Sequence, residues 1–208
     1  MMYGKLPEVI DIIDINVEEM FSYTYLPIKL KYGKITVEKR LHPFLELIYA
    51  CEEDFLKDHG WSYYDNHYIY LTAKNLYQKE SRGFNRRGWH SDSYKDNDTI
   101  YLWSNVQPTV FNSTKLTLSK DDELALKEIE NKIDEKNNIT YPDNSLIKLD
   151  QFCIHRVGEI IPGIRCFLKL VFSKNKFNLI GNSHNYLLDY KWKMYPRQER
   201  RNVPSIID

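Results

Sequence analysis

The chain of 208 residues balances 29 basic against 29 acidic side chains, which speaks against the broad positive footprint of a duplex-DNA binder without excluding a local basic groove. Its length suits a single domain with a sizeable core, and no stretch approaches the roughly 20 apolar residues of a membrane span. Three scattered cysteines, Cys51, Cys153 and Cys166, make no disulfide framework, and the start, Met1-Met2-Tyr3-Gly4-Lys5, has no apolar signal core; a cytoplasmic setting is expected.

Taken in order, Pro7 to Val17 is β-branched and expected to be extended. Ile28, Leu30 and Tyr32 alternate with other positions, as do Ile35 and Val37, and Gly33-Lys34 between them predicts a hairpin with a type II′ turn and a positive φ at Gly33. His42-Pro43 opens a helix, with Phe44, Leu47, Ile48, Cys51 and Phe55 as its apolar stripe and His59-Gly60 as its end. Trp61 to Tyr77 reads as a strand pair, with Tyr68, Tyr70 and Thr72 on one face and Ile69, Leu71 and Ala73 on the other. Ser81 to Gly88 is a loop rich in arginine and glycine, suited to folding over a ligand.

Gly88-Trp89-His90-Ser91-Asp92 carries the chemistry. Residues two apart in an extended segment face the same way, so His90 and Asp92 offer an imidazole nitrogen and a carboxylate oxygen to one point. A third ligand must come from elsewhere, and His155 is the best candidate. Two histidines and one carboxylate form the facial triad of non-haem Fe(II) oxygenases, with open positions opposite. Ten positions beyond His155, Arg165 lies in the apolar run Ile164 to Phe172, where a guanidinium suits a bidentate clamp on the far carboxylate of a dicarboxylic co-substrate.

Between these points, Asp98 to Asn105 is a strand, broken at Gln107-Pro108-Thr109 and resumed at Val110-Phe111. Ser119 is expected to cap a helix running to Asp134, with Leu124, Ile129 and Ile133 as its stripe and the rest charged, an exposed insertion between strands. Ser145 to Leu149 and Ile164 to Phe172 are further strands. The aromatic segment from Phe177 to Tyr195 is expected to pack across the barrel, and Pro196 to Arg201 is a basic end.

The ordered set His90-x-Asp92, His155 and Arg165, with Tyr141-Pro142-Asp143-Asn144-Ser145 as the turn before the distal histidine's strand, resembles the Fe(II)/2-oxoglutarate-dependent dioxygenases over roughly Gly88 to Ser173. The resemblance implies a mainly β fold, a double-stranded β-helix (jelly-roll, cupin-like) core with one or two flanking helices. It divides the single domain into N-terminal strands and support helix (1–60), jelly-roll core (61–173) and C-terminal packing segment and tail (174–208). It also implies Fe(II), 2-oxoglutarate and O2, with succinate and CO2 as co-products. Hydroxylation is implied rather than halogenation, because Asp92 is present; demethylation follows if the oxidised carbon sits on nitrogen or oxygen. Relatives often carry a hydroxyl two residues after the arginine. Here that residue is Phe167, so Tyr70 or Thr72 is the expected replacement beside Arg165, and Asn105 the expected partner of the near carboxylate. Trp89, Arg87, Tyr94 and Tyr101 are the expected substrate contacts.

Each feature also has a plain structural meaning. A His-x-Asp triplet arises by chance, a lone histidine is usually packed or solvated, a strand arginine is usually in an ion pair, and Trp89 and Trp103 are more often core than platform. The ordered combination favours the oxygenase. A small molecule or amino acid is the expected substrate, ahead of a protein side chain or a nucleobase. The competing classes are a non-catalytic jelly-roll binding module and a cupin-type metal enzyme that does not use 2-oxoglutarate.

Overall fold

The structure is a computed structural model, and it describes residues 2–79, 88–93, 96–106 and 109–197. Its strands are β1 (Met2–Tyr3), β2 (Glu8–Ile12), β3 (Phe21–Lys29), β4 (Tyr68–Gln78), β5 (Thr99–Ser104), β6 (Thr109–Asn112), β7 (Leu116–Thr117), β8 (Asn138–Thr140), β9 (Ser145–Leu149), β10 (Ile154–Val157) and β11 (Gly163–Ser173). Its α-helices are α1 (Leu45–His59), α2 (Trp61–Asp65) and α3 (Asp122–Lys132), with 3-10 turns at Lys39–Phe44, which holds the expected helix start His42-Pro43, and at Glu135–Asn137. The strands form a six-stranded sheet in the order β2-β9-β5-β11-β4-β3, a three-stranded sheet in the order β10-β6-β8 and a small β1-β7 pair.

The pairings among these strands are all antiparallel. From β4 onward the chain crosses repeatedly between the two larger sheets. It runs from β4 in the large sheet to a bridge at His90 beside β10, back to β5, and over to β6 and β8. It then returns to β9, crosses to β10 and ends in β11. That alternation is a jelly roll, in which strands close in sequence lie on opposite walls. The protein is mainly β with flanking helices, as expected.

Side-chain alternation along β11 divides the core. Cys166, Leu168, Leu170 and Phe172 face outward, into the cluster formed with Leu47, Ile48, Cys51 and Phe55 of α1. Phe55 stacks on Phe172 with ring centroids 4.3 Å apart. Burying a Leu, Ile or Phe side chain contributes about 1.5–3 kcal/mol, so this layer fixes the large sheet firmly. Val171 and Phe167 face inward, with Tyr70, Ile100, Leu102 and Ile147 between the sheets. A third cluster, Tyr3, Trp89, Leu116, Ile129 and Ile154, joins α3 and the β1-β7 pair to the outside of the small sheet. Phe177 stacks on Tyr70 at 4.2 Å and Trp192 meets Tyr68 edge-on, so the C-terminal segment does pack across the barrel.

Four expectations change. Only the first arm of the predicted hairpin is a strand; the positive φ belongs to Tyr32 rather than Gly33, and residues 33–38 are irregular. The strand pair predicted over Trp61 to Tyr77 is α2 followed by β4, because Gly60, at φ +75, redirects the chain into a second short helix. Asp121, not Ser119, caps α3, its side chain accepting from the Leu124 N–H. Nor is α3 a free insertion: Ala125 and Ile129 are buried, whereas Leu124 is exposed. Ser81 to Arg87 and residues 198–208 lie outside the described residues.

Candidate metal centre

Two left-handed backbone positions bracket the central segment, Gly88 at φ +82 and Ser93 at φ +51. Glycine meets the first without steric cost. Between them the chain is extended enough to bridge β10. The His90 N–H donates to the His155 carbonyl at 3.0 Å, and the His155 N–H to the His90 carbonyl at 2.8 Å. Antiparallel partners in this arrangement project side chains to the same side, so the two imidazoles meet with centroids 4.6 Å apart. Trp89 and Ile154, the neighbours in sequence, point the other way into the outer cluster.

His90, Asp92 and His155 each offer a ligand atom, and these atoms lie within 4.8 Å of one another. Nδ1 of His90 is 2.9 Å from the Gly88 carbonyl, and Nδ1 of His155 is 3.2 Å from the Cys153 carbonyl. A carbonyl only accepts, so each Nδ1 carries a proton and each Nε2 is the atom left to ligate a metal. Phe111, the ladder partner of His155, packs on its ring at 5.6 Å. Two imidazole nitrogens and a carboxylate oxygen this close suit a divalent transition metal.

Lys169, which the sequence reading passed over, completes the cluster from the opposite wall. Its ammonium donates to Asp92 Oδ2 at 2.6 Å, and the same oxygen is 3.9 Å from His155 Nε2. Burial by itself would raise the Asp92 pKa; Lys169, then His155 and His90, outweigh it and hold the carboxyl well below the usual carboxylate range. Burial works against the Lys169 charge too, and Asp92 overrides it. Further along, Asp98 accepts from Ser93 Oγ at 2.7 Å, yet burial pushes its pKa up to about 6.

Arg165 shares the inward face of β11 with Phe167 and Lys169. It is 7 % exposed. Its Nε donates to Ser104 Oγ at 3.0 Å and its guanidinium lies over the Phe167 ring. No carboxylate among the described residues pairs with it. Burial lowers its pKa to about 10, leaving the cation intact at neutral pH.

The expected supporting residues are placed differently. The Tyr70 hydroxyl donates to the Asn175 carbonyl and accepts from the Phe177 N–H, at the far end of the inner face. Thr72 stands opposite Lys169, its hydroxyl accepting from the Tyr25 N–H. Neither reaches Arg165; Ser104 does. Asn105 prolongs the ladder, its side chain accepting from the Cys166 N–H. Tyr101 is on the outer face, fully buried, and donates to Asp54 of α1. Trp89 is buried in the outer cluster beneath Arg156. Tyr101 and Trp89 are therefore turned away from the His90 side of their strands. Arg87 and Tyr94 lie outside the described residues.

No family model matches the sequence, and no curated protein matches it. Among solved structures, the crystal structure of EvdO2 from Micromonospora carbonacea var. aurantiaca is 13% identical, with a TM-score of 0.41 over 66% of each chain. The strand order and the site define the protein as a jelly-roll β protein with a His-Asp-His cluster able to hold a metal ion. No helix among the described residues is long and apolar enough to cross a membrane.

Proposed function

We propose that this protein is an Fe(II)- and 2-oxoglutarate-dependent dioxygenase that hydroxylates a small-molecule or amino-acid substrate. The observation that carries the reading is Arg165. It is a buried guanidinium with no carboxylate partner among the described residues, on the wall that also sends Lys169 to Asp92. Leaving a buried cation unpaired is costly, and a dicarboxylate that docks its far end there removes the cost.

His90, Asp92 and His155 would hold the iron. With 2-oxoglutarate and O2, that centre would supply the oxidising power to put one oxygen atom of O2 into a C–H bond and the other into succinate, with loss of CO2. The protein's own part is positioning and packing. Ser104 holds the Arg165 Nε, Phe167 lies beneath its guanidinium, and the Tyr70–Phe177 stack packs the inner face at its other end.

A second reading has an observation of its own. The Lys169 ammonium already neutralises Asp92, as it would in a binding module that kept the jelly roll and replaced the metal's charge with a lysine.

One anaerobic experiment separates the two. Fe(II) and then 2-oxoglutarate are added to the apo-protein, and the visible charge-transfer band of an iron–keto-acid chelate is followed. A band requiring both additions and lost in His155→Ala supports the oxygenase. Iron binding without a band points to a metal enzyme that does not use 2-oxoglutarate, and no iron binding points to the module.

A further inference from the structure

Phe167 stands where relatives of the proposed class often carry the second group for the far carboxylate, and a phenyl ring cannot donate. Its cross-strand neighbours are therefore informative. In the register of the large sheet Phe167 is opposite Ser104 on β5 and Lys74 on β4. Directly opposed residues share a face, with Cβ atoms about 4.5–5.5 Å apart. Ser104 is accounted for: its hydroxyl donates to the Cys166 carbonyl and accepts from Arg165. Lys74 is half-buried, and no carboxylate among the described residues pairs with it. On β4 it lies across from the stretch of β11 between Arg165 and Lys169, on the same inward face, and burial first, then those two charges, depress its pKa.

We propose that Lys74 is the second cation of the co-substrate subsite, donating with Arg165 to the far carboxylate of the dicarboxylic keto acid in place of the hydroxyl that Phe167 lacks. This deepens the reading above and rests on it. A carboxylate has about four acceptor positions; the Arg165 fork satisfies two in parallel, and an ammonium from the adjacent strand takes another. The same anion relieves the repulsion between two like charges on one low-dielectric wall.

The test is a binding titration, followed by the charge-transfer band under anaerobic conditions with Fe(II). It compares 2-oxoglutarate with 2-oxobutyrate, which has the keto-acid head and no far carboxylate. The proteins are wild type, Arg165→Ala, Lys74→Met and Lys74→Arg, with circular dichroism to confirm folding. A charged hydrogen bond of this kind is worth at least a factor of about ten. Lys74→Met is expected to weaken 2-oxoglutarate at least that much, leave 2-oxobutyrate unchanged, and be largely rescued by Lys74→Arg. If Arg165→Ala loses 2-oxoglutarate and Lys74→Met does not, the role of Lys74 is overturned and the oxygenase reading stands. Equal loss of both keto acids in Lys74→Met also overturns it, because the charge would then act on the metal end. If wild type binds neither acid, the oxygenase reading falls and the subsite with it.

Discussion

His90 and His155 are ladder partners, each donating its N–H to the other's carbonyl, at 3.0 and 2.8 Å. The two imidazoles of the cluster are therefore held together by a backbone bridge between segments 65 residues apart.

It follows that replacing one imidazole should remove a ligand without opening the fold. His90→Ala is expected to lose more metal affinity than the roughly 10–100-fold typical of outer-shell changes, with an unchanged far-ultraviolet spectrum. Titration with Mn(II) or Co(II) measures it; affinity within threefold of wild type would remove His90 from the ligand set.

Lys169→Met leaves Asp92 without its cation. Breaking a fully buried pair costs about 3–5 kcal/mol. Asp92 keeps 23 % of its side chain accessible, so roughly 2–3 kcal/mol is expected in urea unfolding of the metal-free protein. Saturating divalent metal should restore more stability to the variant than to wild type, because the ion then meets an uncompensated carboxylate and binds more tightly.

Asp98 predicts a pH effect. Burial raises its folded pKa from 3.8 to about 6, so between those values the folded state binds more proton than the unfolded state. Stability from this group is present below about pH 4, falls as pH rises to about 6, and stays lost above it. Asp98→Asn keeps an acceptor for Ser93 and removes the titration. The variant should be more stable than wild type at pH 7, by up to roughly 2–3 kcal/mol, with the difference vanishing near pH 4.

Tyr101→Phe tests the outward placement of that ring. The change deletes the bond to Asp54 and should cost about 1 kcal/mol with no change in metal or keto-acid affinity. A selective loss of ligand binding would return Tyr101 to the site.

Much of the centre was legible in the sequence, because its signals are local or periodic. His-x-Asp shares a face wherever the chain is extended, and Arg165 announces itself as a guanidinium in an apolar strand. Tyr70, Thr72, Asn105, Tyr101 and Trp89 were harder. Their residue types suit a site, but which wall and which end each occupies depends on strand register, and a shift of one residue reverses every side chain.

By itself, then, the sequence determined the mainly β class, the helix α1 with its buried stripe, the two faces of β4, and the grouping of His90, Asp92 and His155. The tertiary structure alone decided that Lys169 meets Asp92, that Ser104 meets Arg165, and that Lys74 stands across from Phe167. Lys169 and Asp92 are 77 residues apart, and Ser104 and Arg165 are 61. Such contacts arise from the crossing of strands between two sheets, where closure over long loops and burial of both inner faces choose the register.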